Sequence, residues 1–287
     1  MSQHDLDPSK TDSGNCDNGN FICVTCGTQF AESVRAPACC PICKDERQYI
    51  GHEGQKWTTL ERLRADHHNR YHEEGAGVFG IGIEPEFAIG QRALLVQSPS
   101  GNILWDCVSL LDAPTIARVR TWGGLRAIAI SHPHYYSSMI EWSAAFGDIP
   151  IYLHAADREW VMRGSPSIHF WEGATHALWD GLTLIQCGGH FEGGTVLHWP
   201  AGEDGKGALL TGDVIQVVAD PRYVSFMRSY PNLIPLSGRA VRQIQDRVGS
   251  FAFEKIYGAW WGRNVLTDGK KAIAISADRY LRAIAPD

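Results

Sequence analysis

Two imidazoles separated by one proline, in Ile130-Ser131-His132-Pro133-His134, close the largely apolar run Leu125 to Ile130. In an extended segment residues i and i+2 project to one side, so His132 and His134 can both reach one metal ion. Two further apolar runs end in the residue types a borderline cation prefers. His190 follows Leu184-Ile185-Gln186-Cys187-Gly188-Gly189, and Asp213 follows Leu209-Leu210-Thr211-Gly212. The glycines let the backbone turn sharply and carry each side chain towards a shared centre. A single histidine beside an apolar run is more often a hydrogen-bonded structural residue than a ligand, but the set together makes a candidate centre. A three-histidine site with an open fourth position brings the pKa of bound water to about 7 and yields a metal-bound hydroxide, which suits hydrolysis. Asp213 is either a further ligand or an acceptor that orients the water.

A second constellation lies near the N-terminus, where Cys23, Cys26, Cys40 and Cys43 form two Cys-x-x-Cys pairs. Thirty residues cannot build a core unaided, so a tetrahedral four-thiolate site is expected to supply the missing stability. Cys39 adjoins one pair, and spacing alone leaves open which of Cys39 and Cys40 ligates. Zinc is the expected ion. The Cys-x-x-Cys-Gly and Cys-Pro-x-Cys pieces also resemble rubredoxin, which makes iron the alternative. Cys107 and Cys187 sit singly among apolar residues and read as core thiols, and Cys16 lies in a polar stretch.

The elements that must position these residues follow from the run of apolar and breaking residues. Residues 1–20 are rich in Asp, Ser, Asn and Gly and are expected to be disordered. Residues 21–50 form the cysteine ribbon, and 51–287 the main domain. Expected strands are Arg92 to Gln97, Ile103 to Cys107, Ala127 to Ile130, Ile149 to Leu153, Leu182 to Gln186, Thr195 to Trp199, Ala208 to Leu210 and Lys255 to Tyr257. Helices are expected at Thr58 to Glu73, Ser138 to Phe146, Gly238 to Val248 and Lys270 to Ile284. Such an α+β mixture implies layered sheets flanked by helices. The chain has 287 residues, 44% of them hydrophobic, enough for one large domain and a small appendage. It has no apolar run of the roughly 20 residues that span a bilayer and no signal-peptide pattern, so a cytoplasmic protein without a membrane partner is expected. A formal net charge of −6 argues against a broad phosphate-binding surface, so nucleic acid is not the expected partner.

The order and spacing of these residues resemble the metallo-beta-lactamase superfamily. There a Thr/Ser-His-x-His-x-Asp-His run, a later Gly-His, a Gly-Asp and a last His supply a two-metal site between packed sheets. Ser131-His132-Pro133-His134, Gly189-His190 and Gly212-Asp213 match those pieces, and Gly90 to Val96 with Gly101 to Asp106 resembles the family's opening hairpin. The resemblance covers nearly all of the chain after about residue 70 and implies an αββα sandwich with the site at one edge. The chain departs from the family at three places. Tyr136 stands where the family has Asp, Ser137 where it has the second-site His, and Tyr257-Gly258-Ala259-Trp260-Trp261-Gly262 offers tryptophan in place of the last His. Indole cannot ligate, and neutral hydroxyls are poor substitutes for carboxylate and imidazole, so one metal is expected rather than two.

The expected activity is therefore that of a metallo-hydrolase with a mononuclear zinc site acting on a small molecule, with His132, His134 and His190 as ligands. Tyr136 is read either as a donor to a developing oxyanion or as a filler of the vacated ligand space. Trp260 and Trp261 are read first as packing residues; at the mouth of the site they would imply a partly apolar substrate. Tyr230 and Arg228, in Ser225 to Asn232, are candidate substrate contacts. Iron in the main site, held by two histidines and Asp213, would instead resemble the persulfide dioxygenases of the superfamily. A non-catalytic binding member is the third reading. His67, His68 and His72 are placed on a solvated helix face, His154 is read as a structural hydrogen-bonding residue, and the ribbon is assigned to docking or to a homodimer contact.

Overall fold

The computed structural model describes residues 19–285, so the disorder expected for residues 1–18 lies outside the described residues. Gly19 and Asn20 belong to the ribbon. Gly19 exchanges backbone hydrogen bonds with Ser33, and the Asn20 amide donates to the Phe30 carbonyl at 2.9 Å. The ribbon contains the short strand β1 (Ile22–Cys23) and a single helical turn α1 (Pro41–Lys44), and β1 pairs with β2 (Trp57–Thr58), beyond the expected boundary at residue 50.

After α2 (Leu60–Asp66) come β3 (His68–Gly75), β4 (Val78–Glu84), β5 (Arg92–Val96) and β6 (Ile103–Trp105). Helix α3 (Ala113–Thr121) leads to β7 (Ala127–Ala129), α4 (Met139–Ala145) to β8 (Ile151–His154), and a turn to β9 (Ile168–Trp171). These seven strands form one sheet in sequence order. The second sheet takes β10 (Thr175–Ala177), β11 (Thr183–Gln186), β12 (Thr195–Trp199) and β13 (Ala208–Gly212). A short turn, α5 (Gly202–Gly205), separates the last two. Two small hairpins, β14 (Gln216–Val217) with β15 (Val224–Ser225) and β16 (Met227–Ser229) with β17 (Ile234–Pro235), precede α6 (Gly238–Gly249). The second sheet is completed by β18 (Lys255–Gly258) and β19 (Asn264–Val265), and α7 (Gly269–Ala283) ends the fold.

The two-residue side-chain period of the strands builds the layers. In β5, Leu94 and Val96 point between the sheets, where they meet Leu184, Leu197 and Leu210, while Ala93 and Leu95 face the α3–α4 side with Val119 and Trp142. In the second sheet Ile185 and Leu209 face α6 and α7, packing with Ile244 and Ile273. The central strands β5, β12 and β13 are covered on both faces, so they read as near-continuous apolar runs. The result is the αββα sandwich that the resemblance implied.

The helix expected at Thr58 to Glu73 is half right. Thr59 caps α2 through its side chain, which accepts from the Arg62 amide at 3.3 Å, but the helix stops at Asp66. His68 to Gly75 instead pairs with Val78 to Glu84 as a hairpin. Asn69 and Tyr71 turn inward to Thr115, at 2.8 Å each, and the residues between them face solvent, a strand alternation hidden under a run of polar side chains. His68 and His72 are therefore exposed on a strand, not on a helix.

Candidate metal centre

The site forms where several strand ends meet. His132 follows β7, His190 follows β11, Asp213 follows β13, and the segment from Ala259 follows β18, all at the carboxyl ends of their strands. Crevices at such ends are common ligand sites in open sheets. The paired histidines converge by a turn rather than along an extended strand. His132 has extended backbone, but Pro133–Tyr135 is a single 3-10 turn, which leaves the two imidazole centroids 5.1 Å apart at 74°. Glycine is required at two of the approaches. Gly212 has φ +56°, and a Cβ there would lie 2.6 Å from Ser131 Oγ; Gly189 has φ +82°, and a Cβ would lie 2.9 Å from the Ile244 side chain.

One ligand atom from each of His132, His134, His190 and Asp213 lies within 4.8 Å of the others, and all four residues are buried. His134 Nδ1 and His190 Nε2 are 3.2 Å apart, and His132 Nε2 lies 2.9 Å from Asp213 Oδ1. Yet His132 Nε2 and Asp213 Oδ1 are both buried without a hydrogen bond of acceptable angle. Buried polar atoms are rarely left unpaired, and atoms this close that do not bond each other suit a cation placed between them. Outer contacts fix the rings: Ser131 Oγ meets His132 Nδ1 at 2.9 Å, and the Met227 carbonyl meets His190 Nδ1 at 3.0 Å.

The electrostatics favour the ligand forms. Burial pushes the His190 imidazole down to about 4 and also lowers His134, so both rings are neutral at pH 7. Burial alone would raise Asp213, but His132 and His190 pull its carboxyl well below the usual carboxylate range. Neutral imidazoles and an ionised carboxylate are the states that ligate a divalent ion.

The residues that stand where the resemblance would put a second metal's ligands make other contacts. The Tyr136 hydroxyl donates to the Asp157 carbonyl at 3.4 Å, and Tyr136 is not among the residues that line the cavity at the centre. Ser137 Oγ donates to the Cys107 carbonyl at 3.1 Å, and Asp157 accepts from the Gly193 amide at 2.8 Å, tying the His132 turn to the His190 loop. Tyr135 stands with its ring 4.7 Å from that of His132 and its buried hydroxyl without a partner, and the Tyr230 ring stands 5.8 Å from that of His190.

A cavity of about 200 Å³ opens onto the centre. Of the residues expected to contact substrate, Trp260 and Tyr230 line it. The Trp260 indole donates to the Ile89 carbonyl at 2.9 Å, and the Tyr230 hydroxyl donates to the Asp213 carbonyl at the same distance. The other two lie elsewhere. Trp261 lies against Gly80 and Gly82 of β4, where a Cβ would meet its ring at 2.7 and 2.8 Å, and it packs under the guanidinium of Arg70 at 4.5 Å. Arg228 is paired with Glu46 and lines a neighbouring surface groove.

Sequence reasoning missed three contributors. Asp106 accepts from the Ser131 amide at 2.7 Å, and burial raises its carboxyl to about 7. Its signal was present, since it follows β6 as Asp213 follows β13. Arg47 and Gln48 of the ribbon line the cavity, and no local pattern announces that. In the ribbon, Cys23, Cys26, Cys40 and Cys43 bring their sulfurs together, with Cys23–Cys43 at 3.5 Å and Cys26–Cys40 at 3.7 Å. Cys40 rather than Cys39 completes this set. Among the described residues, no helix is long and apolar enough to cross a membrane.

Comparison with family profiles returns no match. The uncharacterized protein YmaE of Bacillus subtilis (strain 168) is 49% identical over 266 residues, which is 92% of this chain and 96% of YmaE. Among solved structures, the metallo-beta-lactamase DIM-1 is similar with a TM-score of 0.56 and 15% identity, over 75% of this chain and 98% of that one. The metallo-beta-lactamase FIM-1 from Pseudomonas aeruginosa, in its mono-zinc form, is similar with a TM-score of 0.52 and 17% identity, over 76% and 97%. At these identities the likeness shows the fold. The chain thus has the metallo-beta-lactamase fold behind a four-cysteine ribbon, and it belongs to the family of YmaE.

Proposed function

We propose that this protein is a metal-dependent hydrolase with a mononuclear main site, zinc being the ion, and with a second, structural zinc in the ribbon. The observation that carries this reading is the convergence of His132, His134, His190 and Asp213 with His132 Nε2 and Asp213 Oδ1 buried and unbonded. The residues at the family's second position, Tyr136 and Ser137, spend their hydroxyls on backbone carbonyls, which supports one ion there. A zinc ion held by His132, His134, His190 and Asp213 would supply the Lewis acidity that brings the pKa of water near neutral. The protein's own residues do the rest. Asp213, kept ionised, can accept a hydrogen bond from an entering water and orient it. Tyr230 bonds the Asp213 carbonyl and steadies that loop, and Trp260 with Ile89 gives the cavity an apolar side.

Metal quantification on the purified chain tests the stoichiometry, with one ion per ligand set as the expected result. A further ion per chain would refute the mononuclear reading. Screening zinc-loaded protein against small esters, amides and thioesters tests the reaction. Iron in the main site with dioxygen uptake would replace hydrolysis by the oxygenase reading.

A further inference from the structure

The end of the ribbon lies over the metal centre and is held there from both sides. Asp45 grips Arg47 with Oδ1 to Nε at 2.6 Å and Oδ2 to Nη2 at 3.1 Å. The guanidinium lies over the Phe191 ring, 4.0 Å from its centroid, and Nη1 donates to the carbonyl of His190 itself at 3.4 Å. Asp45 already balances the charge of Arg47, and the exposed Glu192 adds a second carboxylate at 3.3 Å. From the other side, the Asn232 amide donates to the carbonyls of Glu46 and Gln48 at 2.8 Å each, and Ser229 Oγ donates to the Arg47 carbonyl at 3.2 Å. With its charge compensated, Arg47 is a clamp rather than an anion receptor.

What the clamp presents is Gln48. This side chain is 3% exposed, it lines the cavity beside His134, His190 and Asp213, and its Oε1 has no hydrogen-bond partner. A buried amide oxygen left unpaired costs free energy; Oε1 itself is closed to solvent, so a ligand group recovers that cost by meeting the Gln48 amide once it turns to the cavity. The cavity volume of about 200 Å³ lies below the usual range of roughly 300–1,000 Å³ for small-molecule sites.

We propose that the ribbon is the specificity element of the metal site: Gln48, positioned by Arg47, restricts it to substrates of about ten non-hydrogen atoms or fewer that carry a hydrogen-bonding group opposite the Gln48 amide. This deepens the hydrolase reading and rests on a metal in the main site.

The test uses the full chain loaded with cobalt(II) and three thiol probes: ethanethiol, 2-mercaptoethanol and biphenylmethanethiol. Their thiolates are titrated through the absorption change at the main-site cobalt. The wild type is expected to bind 2-mercaptoethanol more tightly than ethanethiol by roughly three- to tenfold, the worth of one net hydrogen bond, and to exclude the biphenyl probe. Gln48→Leu keeps the bulk and removes the amide, so the hydroxyl preference should vanish while exclusion remains. Gln48→Ala should lose both. Unchanged thiolate absorption of the ribbon cobalt shows that a variant retains the ribbon. The proposal is overturned if the wild type binds the biphenyl probe as tightly as ethanethiol, or if Gln48→Leu keeps the hydroxyl preference. A chain that takes up cobalt at the ribbon alone overturns the main-site metal reading instead.

Discussion

At the scale of single residues, the site is defined by buried atoms that lack protein partners. His190→Ala removes one of three imidazoles and leaves too few strong ligands for a stable centre. Metal analysis should then fall from two ions per chain to one, the ion of the cysteine set remaining. An unchanged main-site content would rule out His190 as a ligand. Tyr136 gives a sharper contrast. Its hydroxyl bonds the Asp157 carbonyl at 3.4 Å, so Tyr136→Phe should cost about 0.5–1.5 kcal/mol of stability and leave kcat near the wild type. A donor to a developing oxyanion would instead cost about 100-fold or more in kcat. Thermal unfolding and steady-state kinetics on one variant separate the two. The ligands were legible in the sequence because each stands just past an apolar run, where a polar residue at the rim of a sheet needs a reason. Tyr135 was not, since nothing in Tyr135-Tyr136 says which ring turns to the histidines; the 3-10 turn at Pro133–Tyr135 decides it.

At the scale of elements, the strands with apolar alternation were legible and β3 was not. Its inward residues are Asn69 and Tyr71, which both bond Thr115, and only Tyr71 also packs on the core, so the run of apolar residues that marks a strand is missing. The end of β3 is tied down by charge. Glu74 meets Arg92 at 2.7 Å, and Arg92, buried in β5, also reaches the Gly258 carbonyl at 3.0 Å. Burial opposes ionisation of Glu74, but Arg92 and the hydrogen bond from Asn264 outweigh it and hold the carboxyl below its ordinary value. A depressed folded-state pKa means that the stability it contributes is present above the unfolded value of about 4.3 and is lost as pH falls through the folded value. Wild type should therefore melt above Glu74→Gln at pH 7, and the gap should close below about pH 4. A gap that stays constant or widens in acid would mean that the carboxylate charge is not what holds β3 to the sandwich.

At the scale of the whole molecule, the ribbon is bonded into the sandwich rather than hung from it. The Gln29 amide donates to the Ser137 carbonyl at 2.9 Å, the Ala31 amide to the Met162 carbonyl at 3.1 Å, and Ser109 Oγ to the Gly27 carbonyl at 2.8 Å. Ser137 belongs to the same turn as His132 and His134, so the ribbon braces the metal-binding loop directly. This could not be read from the sequence: the cysteine spacing reveals a ribbon, but where the ribbon docks depends on contacts 80 and more residues away, such as Ser109 with Gly27. An appendage joined only by a linker would unfold on its own and leave the sandwich unchanged. With these bonds, the two parts should melt in one transition, and Cys40→Ser/Cys43→Ser, which removes half of the thiolates, should lower the Tm of the sandwich itself. A structural metal site contributes several kcal/mol, and a domain of this size shifts by about 2–4 °C per kcal/mol, so a fall of about ten degrees or more is expected. Near-UV circular dichroism reports the tryptophans of the sandwich, Trp105 and Trp142 among them, both buried far from any ribbon cysteine in sequence. Should their transition stay at the wild-type temperature while the ribbon metal is lost, the ribbon would be an independent unit, and its bonds to the His132 loop would carry no stability.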